Sequence, residues 1–379
     1  MSKPLPRTVQ WADTMHGHTV DEDASTIVRA HRDSNAEIEA HPQHGRIERE
    51  EREAATLREG ATRAHGAGHR AIEEEPDDLR TCFERDRDRI VHSTSFRRLA
   101  GKTQVLVHPT DHQRTRLTHA LEVAQVATSI ARGIGANVAL ADAIALGHDC
   151  GHGPGGHASE DAFDQFLDEG YDHGPWGANV SLTSLNLCAE TLDGIRNHSW
   201  SRPAPRTIEG EIVSWADRIA YCAHDLEDAI HAGIVREEDL PSDVVAVCGA
   251  TRREQLGTFI RAVIRCVAEN GEIGMDADTA AALAGLRRFN YERIYTRPAA
   301  VKQARSVVDV LTALVEHYKA APHLLPQAPD ADAGSMEATV AAVTWISGMT
   351  DRYAFETAVR ELGWHRDRLP KAIDYYSEG

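Results

Sequence analysis

The stretch "ANVALADAIALGHDCGHGPGGHASED" (residues 136–161) decides between two folds. It matches the GxGxxG pattern literally, through Gly151, Gly153 and Gly156. In a dinucleotide-binding fold that pattern needs a strand before it and a helix opening inside it. Here residues 136–149 read as an Ala-rich helix, Pro154 sits in the turn, and no strand–helix units follow. The glycines therefore break regular structure and display side chains. His148 and Asp149 leave the helix side by side, and His152 and His157 follow in the loop. Such donors suit a metal, a phosphate, or both.

The neighbouring segments keep the helical period. "RLTHALEVAQVATSIARG" (116–133) carries apolar residues at three- and four-residue steps, with Gly133 as the expected stop. "EGEIVSWADRIAYCAHDLEDAIHAG" (209–233) and "AVKQARSVVDVLTALVEHYKAA" (300–321) repeat the pattern. Nothing alternates with period two for long enough to suggest a sheet. The expectation is an all-α fold.

A chain of 379 residues with 41% apolar content can bury a full core. Residues 1–80 read as a charged N-terminal arm, partly disordered or helical, closed by "EEEPDD" at 73–78. Residues 81–379 read as a single helical domain with its core over 110–235. The net charge of −18 disfavours a duplex nucleic-acid partner, and nothing points to a single-stranded one. Six cysteines without a CxxC pair fit reduced, buried thiols, and Cys150 reads as a small neighbour of the loop rather than a nucleophile. No run of about 18 apolar residues and no signal-peptide core is present, so no membrane span and a cytoplasmic location are expected.

The polar residues on these apolar helices converge in type. His119 shares a helix face with Arg116, and Asp217, Tyr221 and Asp225 recur at steps of four on a later helix. Taken singly, His119 reads as a core histidine and Asp217 as a surface acid. Two imidazoles and two carboxylates together, from His119, His148, Asp149 and Asp217, make a nitrogen and oxygen site suited to Mn, Fe, Zn or a similar divalent ion. An all-oxygen Mg cage is a poorer match.

His119, the His148–Asp149 doublet and Asp217, in that order, resemble the H…HD…D signature of HD-domain metal-dependent phosphohydrolases. The flanks extend the likeness. "RDRDRIVHSTSFRRLAGKTQV" (85–105), "RTRLTHALEVAQVA" (114–127), "HDCGHGPGGHASE" (148–160), "ADRIAYCAHDLEDAI" (216–230), "FNYERIY" (289–295) and "GMTDRYA" (348–354) resemble the deoxyguanosine triphosphate triphosphohydrolase family. The resemblance implies an HD-domain helical fold with additional C-terminal helices. It implies hydrolysis of a dNTP to deoxynucleoside and tripolyphosphate, with one divalent ion per site held by His119, His148, Asp149 and Asp217. Mn or Fe is favoured over Zn, Co, Ni or Mg.

By the same resemblance, His157 and Glu160 match the family's catalytic pair, with His152 a further proton carrier or phosphate contact. Arg116 and Arg218 would meet phosphate, Gln104 the nucleoside, Tyr221 the sugar face and Asp225 the 3′ hydroxyl. His173 would face phosphate too, although only residues 174–184 separate it from Leu185, fewer than the family pattern has. The family also implies a homo-oligomer, a tetramer or hexamer, and leaves a dNTP effector open. Two other readings stand beside it: an HD phosphatase or phosphodiesterase acting on another nucleotide, and a nucleotide-sensing protein without turnover.

Overall fold

Helices carry nearly all the regular structure in the computed structural model of the chain, which describes residues 5–15, 17–19, 27–66, 68–105 and 113–371. Met1–His44 forms one unit. It contains helix α1 (Pro6–Asp13), opened by proline, and the two-residue antiparallel strands β1 (His18–Thr19) and β2 (Val28–Arg29). Gly45–Gly379 forms the second unit and holds every element that follows. Residues 45–80, read from sequence with the arm, fall inside it.

Helix α2 (Arg46–Thr56) opens this second unit. The chain after it is pinned by Arg58 N–H donating to the Gly135 carbonyl at 2.8 Å. Buried Glu209 also holds it, accepting from Thr62 N–H at 3.2 Å and Thr62 Oγ1 at 2.7 Å. Next come α3 (Cys82–His92), α4 (Thr94–Arg98), α5 (Arg116–Ile134), α6 (Val138–Gly147), α7 (His157–Asp164), α8 (His173–Trp176), α9 (Ala189–Asn197) and α10 (Ile208–His231). The C-terminal part is α11 (Ser242–Cys248), α12 (Arg252–Asn270), α13 (Ala277–Asn290), α14 (Pro298–Ala320), α15 (Met336–Ser347) and α16 (Asp351–Leu362).

The expected stop at Gly133 is corrected by two residues. Helix α5 runs on to Ile134 and ends at Gly135, whose φ of 75° is the left-handed cap that glycine adopts without strain. Gly133 is needed instead for packing, because a Cβ there would lie 2.5 Å from Ile264 Cδ1 on α12. Helix α6 starts at Asn137, whose side chain accepts from Leu140 N–H at 3.1 Å. It is buried around most of its circumference, as a helix without a polar face must be.

Two apolar cores result. One packs α3, α5, α6, α9, α10 and the α11–α13 layer, with Phe83, Ile130, Leu140 and Phe259 fully buried. The other packs α7 against α14, α15 and α16 through Phe163, Leu311, Leu314 and Ile346. A cleft opens along their seam, with Arg116 and Asp217 on the first side and His157, Ala158 and Ala304 on the second.

Buried Asp86 ties α3 to α9. Its carboxylate accepts from Arg70 Nη1 at 2.6 Å, Cys188 N–H at 2.8 Å and Thr191 Oγ1 at 2.7 Å. Asp86→Ala leaves the Arg70 guanidinium, 1% exposed, with Glu74 at 3.1 Å as its remaining carboxylate. The expected destabilisation is about 3–5 kcal/mol, measured by urea denaturation. A loss below about 1 kcal/mol would show that the network adds little.

Candidate active site

Three apolar helices deliver the polar side chains. His119 stands at the end of the first turn of α5, Asp217 in the middle of α10, and His148 and Asp149 just past the last turn of α6. The loop after Asp149 must turn tightly. Gly151 is so close to the neighbouring backbone that a Cβ there would lie 2.0 Å from the His173 carbonyl oxygen and 2.4 Å from Gly177 N. No other residue fits at that point.

The donor atoms of His119, His148 and Asp217 lie within 4.8 Å of one another. Nε2 of His119 is 3.0 Å from Asp217 Oδ1, and Nε2 of His148 is 3.8 Å from the same oxygen. Asp149 approaches the trio through Oδ1, 3.4 Å from His148 Nε2, while its Oδ2 accepts from Arg116 Nη1 at 2.8 Å. Burial opposes ionisation of Asp149 and Asp217, but Arg116 with His148 and His152 holds the Asp149 carboxyl well below the usual range, and His119 and His148 do the same for Asp217.

The chemistry of this donor set fits a cation. Nδ1–H of His148 donates to the Ala145 carbonyl at 2.6 Å, which leaves a lone pair on Nε2. Among the described residues that buried nitrogen has no hydrogen-bond partner, and carboxylate oxygens neighbour it. Burial depresses the imidazole's pKa, so a proton is not what fills the gap. A divalent ion satisfies the lone pair and the carboxylates together.

A second histidine group meets at Glu160. Its Oε1 accepts from His173 Nδ1 at 2.7 Å and His157 Nδ1 at 3.2 Å, with His152 Nδ1 at 3.4 Å. These donors are also close enough to hold a metal, yet hydrogen bonds take up both ring nitrogens of His173. Buried His198 donates Nδ1–H to the Ile195 carbonyl at 2.8 Å, so its Nε2 accepts, at 3.1 Å, from His173 Nε2. Burial and the neighbouring cationic His173 push His198 down to about 3. His173 then donates from both nitrogens and has no lone pair for a metal. Burial works against its charge, but Glu160 outweighs burial and raises its pKa. His152 stacks on His173 at 3.8 Å between ring centroids, and burial keeps it neutral.

The cleft of about 480 Å³ takes in all the remaining sequence-named residues. Arg116 is 2% exposed, and its Nε and Nη2 have no hydrogen-bond partner among the described residues. Gln104 contributes a buried Oε1 that is equally unpartnered. Arg218 lies over the Trp200 ring, 3.4 Å from its centroid. The Tyr221 hydroxyl accepts from Arg287 Nε at 2.8 Å. Both oxygens of Asp225 are engaged, Oδ1 by Arg114 and Oδ2 by the Tyr295 hydroxyl at 2.5 Å. His157 differs from the other histidines, with its side chain 73% exposed at the cleft mouth. Cys150 is buried and its thiol pushed up to about 12 by burial, so it packs and does not attack.

Residues without a site role in the sequence reading complete the arrangement. His198 is the acceptor behind His173. Lys102 is buried, donates to the carbonyls of His152 and Ser347, and is depressed to about 8 by burial. Asp351, at the start of α16, accepts from Thr103 N–H at 3.0 Å and Gly155 N–H at 2.8 Å. It thus clamps the segment bearing Gln104 to the loop bearing His157. Both Lys102 and Asp351 lie within the quoted "GKTQV" and "GMTDRYA" blocks, which was the available signal.

An all-α body that gathers His and Asp donors in this order defines a phosphohydrolase of the HD class. The HD domain family matches residues 116–222, and the phosphohydrolase-associated domain matches residues 273–360. The chain is 39% identical over 312 residues to the deoxyguanosinetriphosphate triphosphohydrolase-like protein of Caldanaerobacter subterraneus subsp. tengcongensis, across 80% of this chain and 92% of that one. Proteins of the same name from Clostridium perfringens and Clostridium tetani are 40% and 37% identical, across 65% and 83% of this chain and 76% and 93% of theirs. The chain belongs to the deoxyguanosinetriphosphate triphosphohydrolase-like family of HD hydrolases. Among its described residues, no helix is long and apolar enough to cross a membrane.

Proposed function

We propose that the cleft hydrolyses deoxynucleoside triphosphates, releasing the deoxynucleoside and tripolyphosphate. One observation carries this reading. The cation-fitting cluster of His119, His148 and Asp217 opens into the same cleft as Arg116 and Arg218 and the Tyr221–Asp225 column. Phosphate chemistry and a sugar-sized recess thus adjoin. A divalent ion held by His119, His148, Asp149 and Asp217, with Mn or Fe favoured, would supply Lewis-acid polarisation of the α-phosphate.

The chain's own groups do the rest. Arg116 is already neutralised on one side by Asp149, and its free N–H groups take phosphate oxygens from a fixed position. His173, charged through its two hydrogen bonds, adds a second fixed cation to the wall. Water attacks the α-phosphorus as the bond to the 5′ oxygen breaks, and the proton that the water gives up balances the one that the 5′ oxygen takes up. His157 Nδ1 is held by Glu160, so Nε2 is the atom that delivers it. His152, neutral and stacked on His173, lies beside the same phosphate. Tyr221, braced by Arg287, lies under the sugar, and Gln104 meets the nucleoside. Asp225 offers the 3′ hydroxyl an oxygen oriented by Arg114 or Tyr295. Assembly as a tetramer or hexamer and control by a dNTP effector belong to this proposal through the family.

Product analysis tests it. The four dNTPs, incubated separately with Mn, Fe, Co, Zn or Mg and resolved by anion-exchange chromatography, should yield tripolyphosphate and deoxynucleoside in equal amounts. Release of orthophosphate or pyrophosphate, or dNTP binding without turnover under every metal, would overturn the proposal.

A further inference from the structure

Arg218 follows Asp217 directly in sequence and lines the same cleft. The chain has 59 acidic residues against 41 Lys and Arg, and most of its buried arginines are paired with carboxylates. Arg218 is different. Among the described residues its side chain makes no ion pair and no hydrogen bond, and its Nε is buried without a partner. What it meets is the face of Trp200 at 3.4 Å.

Trp200 is fixed in its turn. Its Nε1–H donates to the Ser214 carbonyl at 3.0 Å. Its ring meets Trp215 edge-on, with centroids 4.7 Å apart and planes at 75°. Trp215 donates Nε1–H to the Ile273 carbonyl at 3.2 Å. The indole is therefore a shelf with little freedom to rotate. An aromatic face attracts a guanidinium through its quadrupole without neutralising the charge and without occupying the N–H edge. A carboxylate in the same place would do both.

We infer that Trp200 is a positioning residue that holds Arg218 as an open cationic fork for the outer phosphates of the triphosphate, an inference that rests on the dNTP reading above. Affinity for the phosphate chain then depends on a tryptophan that touches no phosphate. The dependence is the same whichever base the nucleotide carries.

The test uses the full-length, metal-loaded protein as wild type, Trp200→Ala, Trp200→Phe, Arg218→Ala and the double variant Trp200→Ala/Arg218→Ala. Titration calorimetry with the Mg complex of inorganic tripolyphosphate reads phosphate-chain binding without turnover. KM and kcat for the four dNTPs read the reaction. In Trp200→Ala, tripolyphosphate affinity should fall about 10-fold and KM rise by a similar factor for every dNTP, with kcat changed less than about threefold. Trp200→Phe should recover most of the loss. The double variant should be no weaker than Arg218→Ala, because the two residues act as one unit.

Unchanged tripolyphosphate affinity in Trp200→Ala overturns the inference. So does a KM rise confined to purine nucleotides, which makes Trp200 a stacking platform for the base. Additive losses in the double variant overturn it as well. Trp200 is 46% exposed, so the alanine variant keeps its core, and thermal melting verifies this. Tripolyphosphate binding needs no hydrolysis, so a failed dNTP assay with an intact Trp200 effect counts against the reaction alone.

Discussion

Asp149→Ala should lose divalent-ion binding and turnover together while remaining helical. The carboxylate has two duties, facing His148 Nε2 with Oδ1 and pairing Arg116 with Oδ2. Its removal deprives the cluster of an anion and frees a guanidinium that is 2% exposed. Lewis-acid polarisation supplies several kcal/mol of transition-state stabilisation, so kcat/KM should fall by about 10³-fold or more. The unpaired Arg116 should add a stability loss of about 3 kcal/mol. Metal content by mass spectrometry, far-ultraviolet circular dichroism and the rate check the three parts. A variant that keeps stoichiometric metal, or turns over within tenfold of wild type, would remove Asp149 from the proposed ligand set.

His157→Gln should separate proton delivery from metal binding. The side chain is 73% exposed and contacts Glu160 and neighbouring histidine rings, so folding and metal content should be unchanged. General acid catalysis contributes about 10²- to 10⁴-fold, and kcat should fall by that factor with KM little altered. Glu160→Gln should cost kcat as well, and it should also disturb His173, which shares the same carboxylate oxygen. A His157→Gln enzyme within about tenfold of wild-type kcat would move the proton donor elsewhere, and His152, stacked nearby, would be the next residue to test.

The sequence carried whatever is local or periodic. Helical spacing located α5, α6, α10 and α14 to within a few residues, and the His148–Asp149 doublet stands where a helix stops. The period-four column of Asp217, Tyr221 and Asp225 does face the cleft. Other features depend on contacts between distant segments. His198 matters because of His173, 25 residues away, and Asp351 because of Gly155, 196 residues away. No spacing rule links such pairs. Gly133 misled because sequence marks a glycine without saying whether a turn or a neighbouring helix requires it, and here Ile264 does.

The reach of Asp351 and Ser347 back to Thr103, Gly155 and Lys102 has a consequence for how this protein can be cut or recombined. A fragment ending at residue 222 would retain every proposed metal ligand and still leave the glycine loop without its anchor. The geometry of the candidate site thus depends on chain closure: the last two helices, which carry Ser347 and Asp351, brace its loops from outside.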